Sequence, residues 1–144
     1  MLRTYVRVEG AGDRTTADDE VCHDLLMSLT VLIVDDHPSF RASARAMLES
    51  EGFDVVGEAE NGASAIEAVR ELAPDVVLLD VQLPDMTGFD VCAAIQGRNG
   101  ETPEIVLVSS RDASDYGDLV TASCACGFVP KGELSGELLA DLLS

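Results

Sequence analysis

Residues Thr30–Phe40 read TVLIVDDHPSF. The run Thr30–Val34 is apolar and β-branched, the composition of a buried strand, and it ends on two adjacent acids, Asp35 and Asp36. Pro38 then suits the first turn of a helix, where a missing N–H leaves nothing unpaired. A strand that hands two carboxylates to a short loop and turns into a helix is the first half of a β-α unit. The acids need a reason, because the chain carries 27 acidic residues against 9 basic ones.

The same unit recurs along the chain. Strands are expected at Thr30–Val34, Asp54–Ala59, Val76–Asp80, Glu104–Ser109 and Gly127–Pro130. Between and after them, helical periodicity predicts Pro38–Ser50, Ala63–Ala73, Gly88–Gln96, Ser114–Ala125 and Glu133–Leu143. Asn61 or Gly62 can begin the second helix, Pro74 closes it, and Gly52 and Gly97 follow helix ends. VVLLD and EIVLV are near-continuous apolar runs, as strands covered on both faces require. The pattern predicts an α/β fold, a doubly wound parallel sheet of five strands with helices on both faces. Residues 29–144 form that domain. Residues 1–28, where EGAGDRTTADDE lacks any apolar period, read as a loosely ordered extension, and Met27 is a candidate alternative start.

A net charge of −18 repels phosphate backbones, and 4% aromatic residues with no Trp leave little to stack on bases, so direct nucleic-acid binding is excluded as an expectation. No apolar run spans a bilayer and no signal peptide opens the chain, which reads as cytoplasmic, with no membrane partner. Cys22, Cys92, Cys124 and Cys126 have no framework spacing and are expected to remain thiols, with Cys124 and Cys126 a buried or half-buried thiol pair.

In doubly wound sheets, functional groups collect at the carboxyl ends of the strands beside the switch in strand order. Asp35 and Asp36 follow the first strand, Asp80 ends the third, Ser109 ends the fourth and Lys131 follows the fifth. In a 2-1-3-4-5 order Asp36 and Asp80 converge. Carboxylates brought together repel unless a cation intervenes, and oxygen ligands with open positions suit Mg²⁺. Lys131 then offers a point charge and Ser109 a hydroxyl donor to a phosphoryl group. Each residue alone has a plain reading: a helix cap, a strand end, a turn hydroxyl, a surface charge. Their joint placement after four separate strands points to phosphate chemistry.

With these positions assigned, VLIVDDHPSF, DVVLLDVQLPDMTGFDV, EIVLVSS and CGFVPKGEL together resemble the receiver domain of bacterial two-component response regulators, over roughly Leu29–Leu143. The resemblance implies a flavodoxin-like (βα)5 sandwich, a phosphorylation-dependent signalling switch and no enzyme activity toward free substrates. It implies Asp80 as phosphoacceptor, Asp35, Asp36, Asp80 and the Gln82 backbone carbonyl as Mg²⁺ ligands, Ser109 and Lys131 as the other catalytic groups, and Ser109 with Phe128 as switch residues. Upstream it implies a sensor histidine kinase or phosphotransfer protein. Downstream it implies a protein target that reads the face of the fourth helix, fifth strand and fifth helix, with phosphorylation-dependent homodimerisation as a further option.

Gly132 departs from the proline common after the family's lysine, and Pro130 precedes it instead. Phe128 lacks a tyrosine hydroxyl, while Gln82 and Arg111 stand where the family tunes phosphate lifetime. His37 reads as a loop residue and His23 has no suggested partner. The altered loop keeps a second reading open, a pseudo-receiver that binds partners independently of phosphorylation. A phosphohydrolase ranks last, because Gln82 stands where such enzymes need a second acid. The sequence stops inside the fifth expected helix, consistent with a stand-alone receiver or a piece of a longer regulator.

Overall fold

In the computed structural model, which describes residues 6–7, 29–96 and 103–143, the apolar run at 76–80 lies in the middle of a sheet and is buried at every position. Strand β1 is Val6–Arg7, β2 Thr30–Val34, β3 Asp54–Ala59, β4 Val76–Asp80, β5 Glu104–Ser109 and β6 Gly127–Pro130. The sheet runs β1-β6-β5-β4-β2-β3. Strands β2 to β6 pair in parallel, and counted among themselves they stand in the expected order 2-1-3-4-5. The register pairs Ile33 with Leu78 and Asp80 with Val108, which sets the C-terminal ends of β2, β4 and β5 along one edge. At the opposite edge Asp75 accepts hydrogen bonds from the Thr30 N–H (2.9 Å) and hydroxyl (3.0 Å), which fixes where β2 and β4 begin.

Successive side chains of a strand point to opposite faces, and here that alternation divides the core in two. Leu32, Val34, Val77, Leu79, Ile105, Leu107 and Phe128 pack on one face with Ala65, Val91, Ile95 and Val120. Those partners come from helices α2 (Gly62–Leu72), α3 (Gly88–Gln96) and α4 (Leu119–Ala122). Val31, Ile33, Val76, Leu78, Val106, Val108 and Val129 pack on the other. Helices α1 (Pro38–Ser50) and α5 (Gly136–Leu143) cover them with Ala44, Leu48, Leu139, Leu142 and Leu143. Helix starts follow local chemistry. Pro38 opens α1, and Asn61 and Ser64 form a reciprocal capping box at α2. Ala73, in the left-handed region at φ 47°, ends α2 before Pro74.

Four features depart from the sequence reading. Within 1–28, Val6 and Arg7 pair antiparallel with Phe128 and Gly127 as a short edge strand; the rest of that segment lies outside the described residues. The fourth helix is not continuous from Ser114 to Ala125. A 3-10 turn covers Ala113–Tyr116, Gly117 takes φ 61°, and α4 spans only Leu119–Ala122. The hydroxyls of Thr121 and Ser123 bond the carbonyls of Asp118 (3.2 Å) and Val120 (2.6 Å) and offer the backbone an alternative to helix. The last helix is likewise shorter than Glu133–Leu143, with a 3-10 turn at Lys131–Glu133 before Gly136–Leu143.

The fourth departure corrects the cysteine chemistry: Cys92 and Cys124 form a disulfide, with Cα atoms 6.1 Å apart, instead of remaining thiols. The fold brings the buried face of α3 beside the turn after α4, a proximity that spacing in the sequence does not reveal. Cys126 is not part of this bond, and Cys22 lies outside the described residues. Closing a loop of 32 residues restricts the unfolded chain by about 3–4 kcal/mol. A dithiol reductant should therefore lower the thermal midpoint by several degrees. A Cys92→Ala/Cys124→Ala variant should melt at the same temperature with and without reductant. A reductant-insensitive parent protein would remove the disulfide from the account.

Candidate functional site

The edge where β2, β4, β5 and β6 end gathers the chain's buried polar groups. Among the described residues, the buried polar or charged ones are Asp35, Asp80 and Ser109, at 0%, 4% and 1% exposure. Asp35 follows β2, and one of its carboxylate oxygens accepts the His37 N–H (2.8 Å) and meets the His37 ring at Nδ1 (2.9 Å). The same ring nitrogen lies 3.2 Å from Asp36 Oδ1. His37 is a loop residue, as expected, and it also belongs to the acidic cluster. Ligand atoms of Asp35, Asp36, His37 and Asp80 all lie within 4.8 Å of one another.

Lys131 reaches the cluster from the end of β6. Its Nζ stands 2.5 Å from Asp35 Oδ2, 3.4 Å from Asp80 Oδ2 and 4.6 Å from the centre of the Phe40 ring. The ring offers its negative face to the ammonium group and screens it from water. Close as Lys131 is, Asp35 Oδ2 is buried and has no hydrogen-bond donor. It is compensated by charge and not by an aligned N–H, which leaves a lone pair for a further cation. Burial first, and then repulsion from Asp35, push the Asp80 pKa from 3.8 up to about 6, against the opposing pull of Lys131. Three carboxylates and a buried oxygen without a donor are a donor set that suits a hard divalent ion.

The loop after β4 holds Asp80 in place. The Gln82 N–H points at Asp80 Oδ1 at 3.4 Å, while Gln82 and Thr87 form an isolated bridge that closes PDMTGFD into a turn. Gly88 opens α3 with its N–H 2.6 Å from the Val81 carbonyl. A Cβ at Gly88 would meet the Asp80 carbonyl at 2.6 Å, so the helix can approach the strand this closely only with glycine. Asp85 in the same turn accepts N–H bonds from Gly62 (2.7 Å) and Ala63 (3.0 Å), which tie it to the start of α2 and hold its carboxyl below the usual range. On the other side, Arg41 bonds the Asp35 carbonyl (2.6 Å) and Glu58 (2.9 Å), fixing the β2–α1 loop to β3.

Ser109 ends β5, one residue beyond the partner of Asp80. Its hydroxyl accepts the Arg111 N–H (3.0 Å) and shares a hydrogen bond with the Tyr116 hydroxyl (2.8 Å). Phe128 is fully buried in β6. The peptide bonds of the described residues are all trans, and the Gly132 turn leaves Lys131 in contact with both buried acids.

The family model for the response regulator receiver domain matches residues 31–143. The chain belongs to that family. This receiver is 36% identical to BvgA of Bordetella pertussis over 109 residues, which are 76% of this chain and 52% of BvgA. It is 45% identical to the nitrate/nitrite response regulator NarP of Escherichia coli over 85 residues, 58% of this chain and 39% of NarP. The receiver thus spans about half the length, or less, of these relatives. Among solved structures, the signal receiver domain of NarL from Mycobacterium tuberculosis superposes with a TM-score of 0.65 at 34% identity, over 81% of this chain and 98% of that one. The flavodoxin-like fold and the place of the domain in two-component signalling follow from this membership. Among the described residues, no helix is long and apolar enough to cross a membrane.

The receiver's acidic cluster unites residues from 35 to 131 that strand ends in the sequence already mark. Three participants carry no such mark, the first being His37, which stands in the loop after the two acids. Phe40 sits in the first turn of α1, where an aromatic ordinarily serves only as core. Tyr116 lies in the stretch RDASDYGDL with Ala113, Leu119 and Val120 at helical spacing from it, so the sequence alone gives it no reading beyond that of a core aromatic.

Proposed function

We propose that this receiver takes a phosphoryl group onto Asp80 from the phosphohistidine of a sensor histidine kinase or phosphotransfer protein, and so alters the face of α4, β6 and α5 that a protein target reads. The observation that supports this most is Asp80 itself, a nearly buried strand-end carboxylate between Asp35 and Lys131. Mg²⁺, held by the carboxylates of Asp35, Asp36 and Asp80 and by the Gln82 backbone carbonyl, supplies when bound the positive charge that offsets the charge on the transferring group.

The chain's own groups do the rest. An ionised Asp80 oxygen forms the new bond to phosphorus as the phosphorus–nitrogen bond of the donor breaks, and the electron pair leaves on the imidazole nitrogen. Lys131, already at the cluster, stabilises the phosphoryl oxygens and keeps its position through Asp35 and Phe40. Ser109 donates its hydroxyl to the acyl phosphate, which has more charge and more acceptor oxygens than the carboxylate had. Phe128 is the expected aromatic of the switch. The acidity that disfavours nucleic acid leaves proteins as its direct partners, and membership of the receiver family favours the cytoplasm as its place of action.

Acetyl phosphate with Mg²⁺ should add one phosphoryl group per chain, in a linkage that hydroxylamine cleaves, and a chelator should prevent it. A label that survives hydroxylamine, or forms equally with chelator, would exclude a metal-assisted acyl phosphate.

A further inference from the structure

Tyr116 has no role in the chemistry above, yet it holds the group that the chemistry needs. Its hydroxyl lies 2.8 Å from Ser109 Oγ, which is 1% exposed and already accepts the Arg111 N–H. A serine hydroxyl has one proton to give. When that proton goes to Tyr116 it is withheld from a phosphoryl oxygen, and when Tyr116 is the donor it ties the Ser109 oxygen to the turn after β5.

The Tyr116 ring links this bond to the core. It meets Phe89 of α3 edge-on with centroids 5.8 Å apart, and Phe128 at 5.9 Å with the planes tilted by 54°. Phe128 is wholly buried in β6, and Tyr116, which packs on it, stands in the 3-10 turn after β5. The start of that turn is closed by Asp112 and Asp115, whose N–H groups bond the Asp115 carboxylate (3.2 Å) and the Asp112 carbonyl (3.0 Å), and its end is held more loosely. Its closing bond, Gly117 N–H to Ser114, is 3.4 Å long, and Gly117 takes φ 61° with open space around it.

We propose that Tyr116 is the positioning residue of the switch: it holds Ser109 in the resting state, and release of the Ser109–Tyr116 bond frees the ring that packs on Phe128. This rests on the reading of Asp80 as phosphoacceptor. Charge on the new phosphoryl group competes for the Ser109 proton, because a hydrogen bond to an ionised acceptor is stronger than one between neutral hydroxyls. Loss of the neutral bond lets the 3-10 turn and its aromatic ring leave their resting place. The movement reaches α3 through Phe89 and β6 through Phe128, and α4 follows directly after the turn.

The chain has two tyrosines and no tryptophan, so Tyr5→Phe leaves Tyr116 as the sole tyrosine emitter. Emission and extent of labelling, the latter by intact mass, are read in the same samples of Tyr5→Phe and Tyr5→Phe/Ser109→Ala with acetyl phosphate and Mg²⁺. Labelling should change the emission of Tyr5→Phe. It should change that of the Ser109→Ala form far less per phosphoryl group. Separately, Tyr116→Phe keeps the ring and removes the competing hydroxyl, so calorimetry should show it binding beryllofluoride with Mg²⁺ about 2- to 12-fold more tightly than the parent, the range set by one net hydrogen bond. Labelled protein with unchanged emission, equal changes with and without Ser109, or unchanged or weaker beryllofluoride binding overturns the role of Tyr116 and leaves Asp80 standing. No labelling of either protein overturns both.

Discussion

Asp80→Asn abolishes covalent labelling by acetyl phosphate and leaves a folded protein that is more stable at neutral pH than the parent. The amide has almost the shape of the carboxylate but cannot form an acyl phosphate. The gain in stability follows from electrostatics. A carboxyl whose pKa rises from 3.8 to about 6 on folding binds its proton more tightly in the folded state, so ionising it works against the fold. Without metal, stability should therefore fall as pH rises from about 4 through about 6, and Asp80→Asn should lack that part of the slope. The shift corresponds to about 3 kcal/mol at full strength, reduced to about 1–2 kcal/mol once screening at the site's opening is allowed for. Urea unfolding of both proteins in chelator at pH 4.5 and pH 7.5 checks the slope. Mg²⁺ should restore stability to the parent more than to the variant, since a ligand stabilises the state that binds it.

Lys131→Ala slows labelling by about 100- to 1,000-fold, the usual loss when one preorganised group that meets developing charge is removed. Its Nζ lies against both buried acids and the Phe40 ring. Loss of the ammonium group also removes the pull that opposes burial at Asp80, so the carboxyl should keep its proton to still higher pH. Lys131→Arg keeps the charge but replaces a point charge by a planar fork, and should recover only part of the rate. Single-turnover labelling between pH 6 and pH 9 reads all three proteins. A Lys131→Ala rate within threefold of the parent would place the stabilising charge elsewhere.

The two substitutions test residues whose place at the site is legible in the amino-acid sequence alone. Asp35, Asp36, Asp80, Ser109 and Lys131 each end or follow a strand, and parallel strands with helical crossovers bring such positions to one edge however far apart they lie in sequence. The strands themselves are legible for a related reason: runs such as VVLLD are short, rich in β-branched residues and bounded by breakers such as Pro74, which favours a strand buried on both faces over a buried helix segment. Less can be read where hydrogen bonding by short polar side chains competes with helix. The segment Ser114–Ala125 carries apolar residues at roughly helical spacing, but Gly117 and the hydroxyls of Thr121 and Ser123 break it. Tyr116 lies in the 3-10 turn of that broken segment, with its hydroxyl on Ser109.

Contacts between side chains of unlike sequence neighbourhoods are also beyond the reach of pattern. Cys92 and Cys124 meet because α3 and α4 share one face of the sheet, and Lys131 meets Phe40 because α1 starts beside the end of β2. Neither pairing leaves a spacing signature. The two-residue strand β1 is too short for any periodicity to register, and its place beside β6 is set by the edge that β6 would otherwise expose.

Peptide mapping decides whether the phosphoryl group sits on Asp80. Protein labelled with acetyl phosphate and Mg²⁺, reduced with borohydride to convert an acyl phosphate into homoserine, should show that conversion at Asp80 and at no other acid. Conversion at Asp35 or Asp36, or a phosphoryl group retained on His37 or Ser109 with Asp80 unmodified, would contradict it.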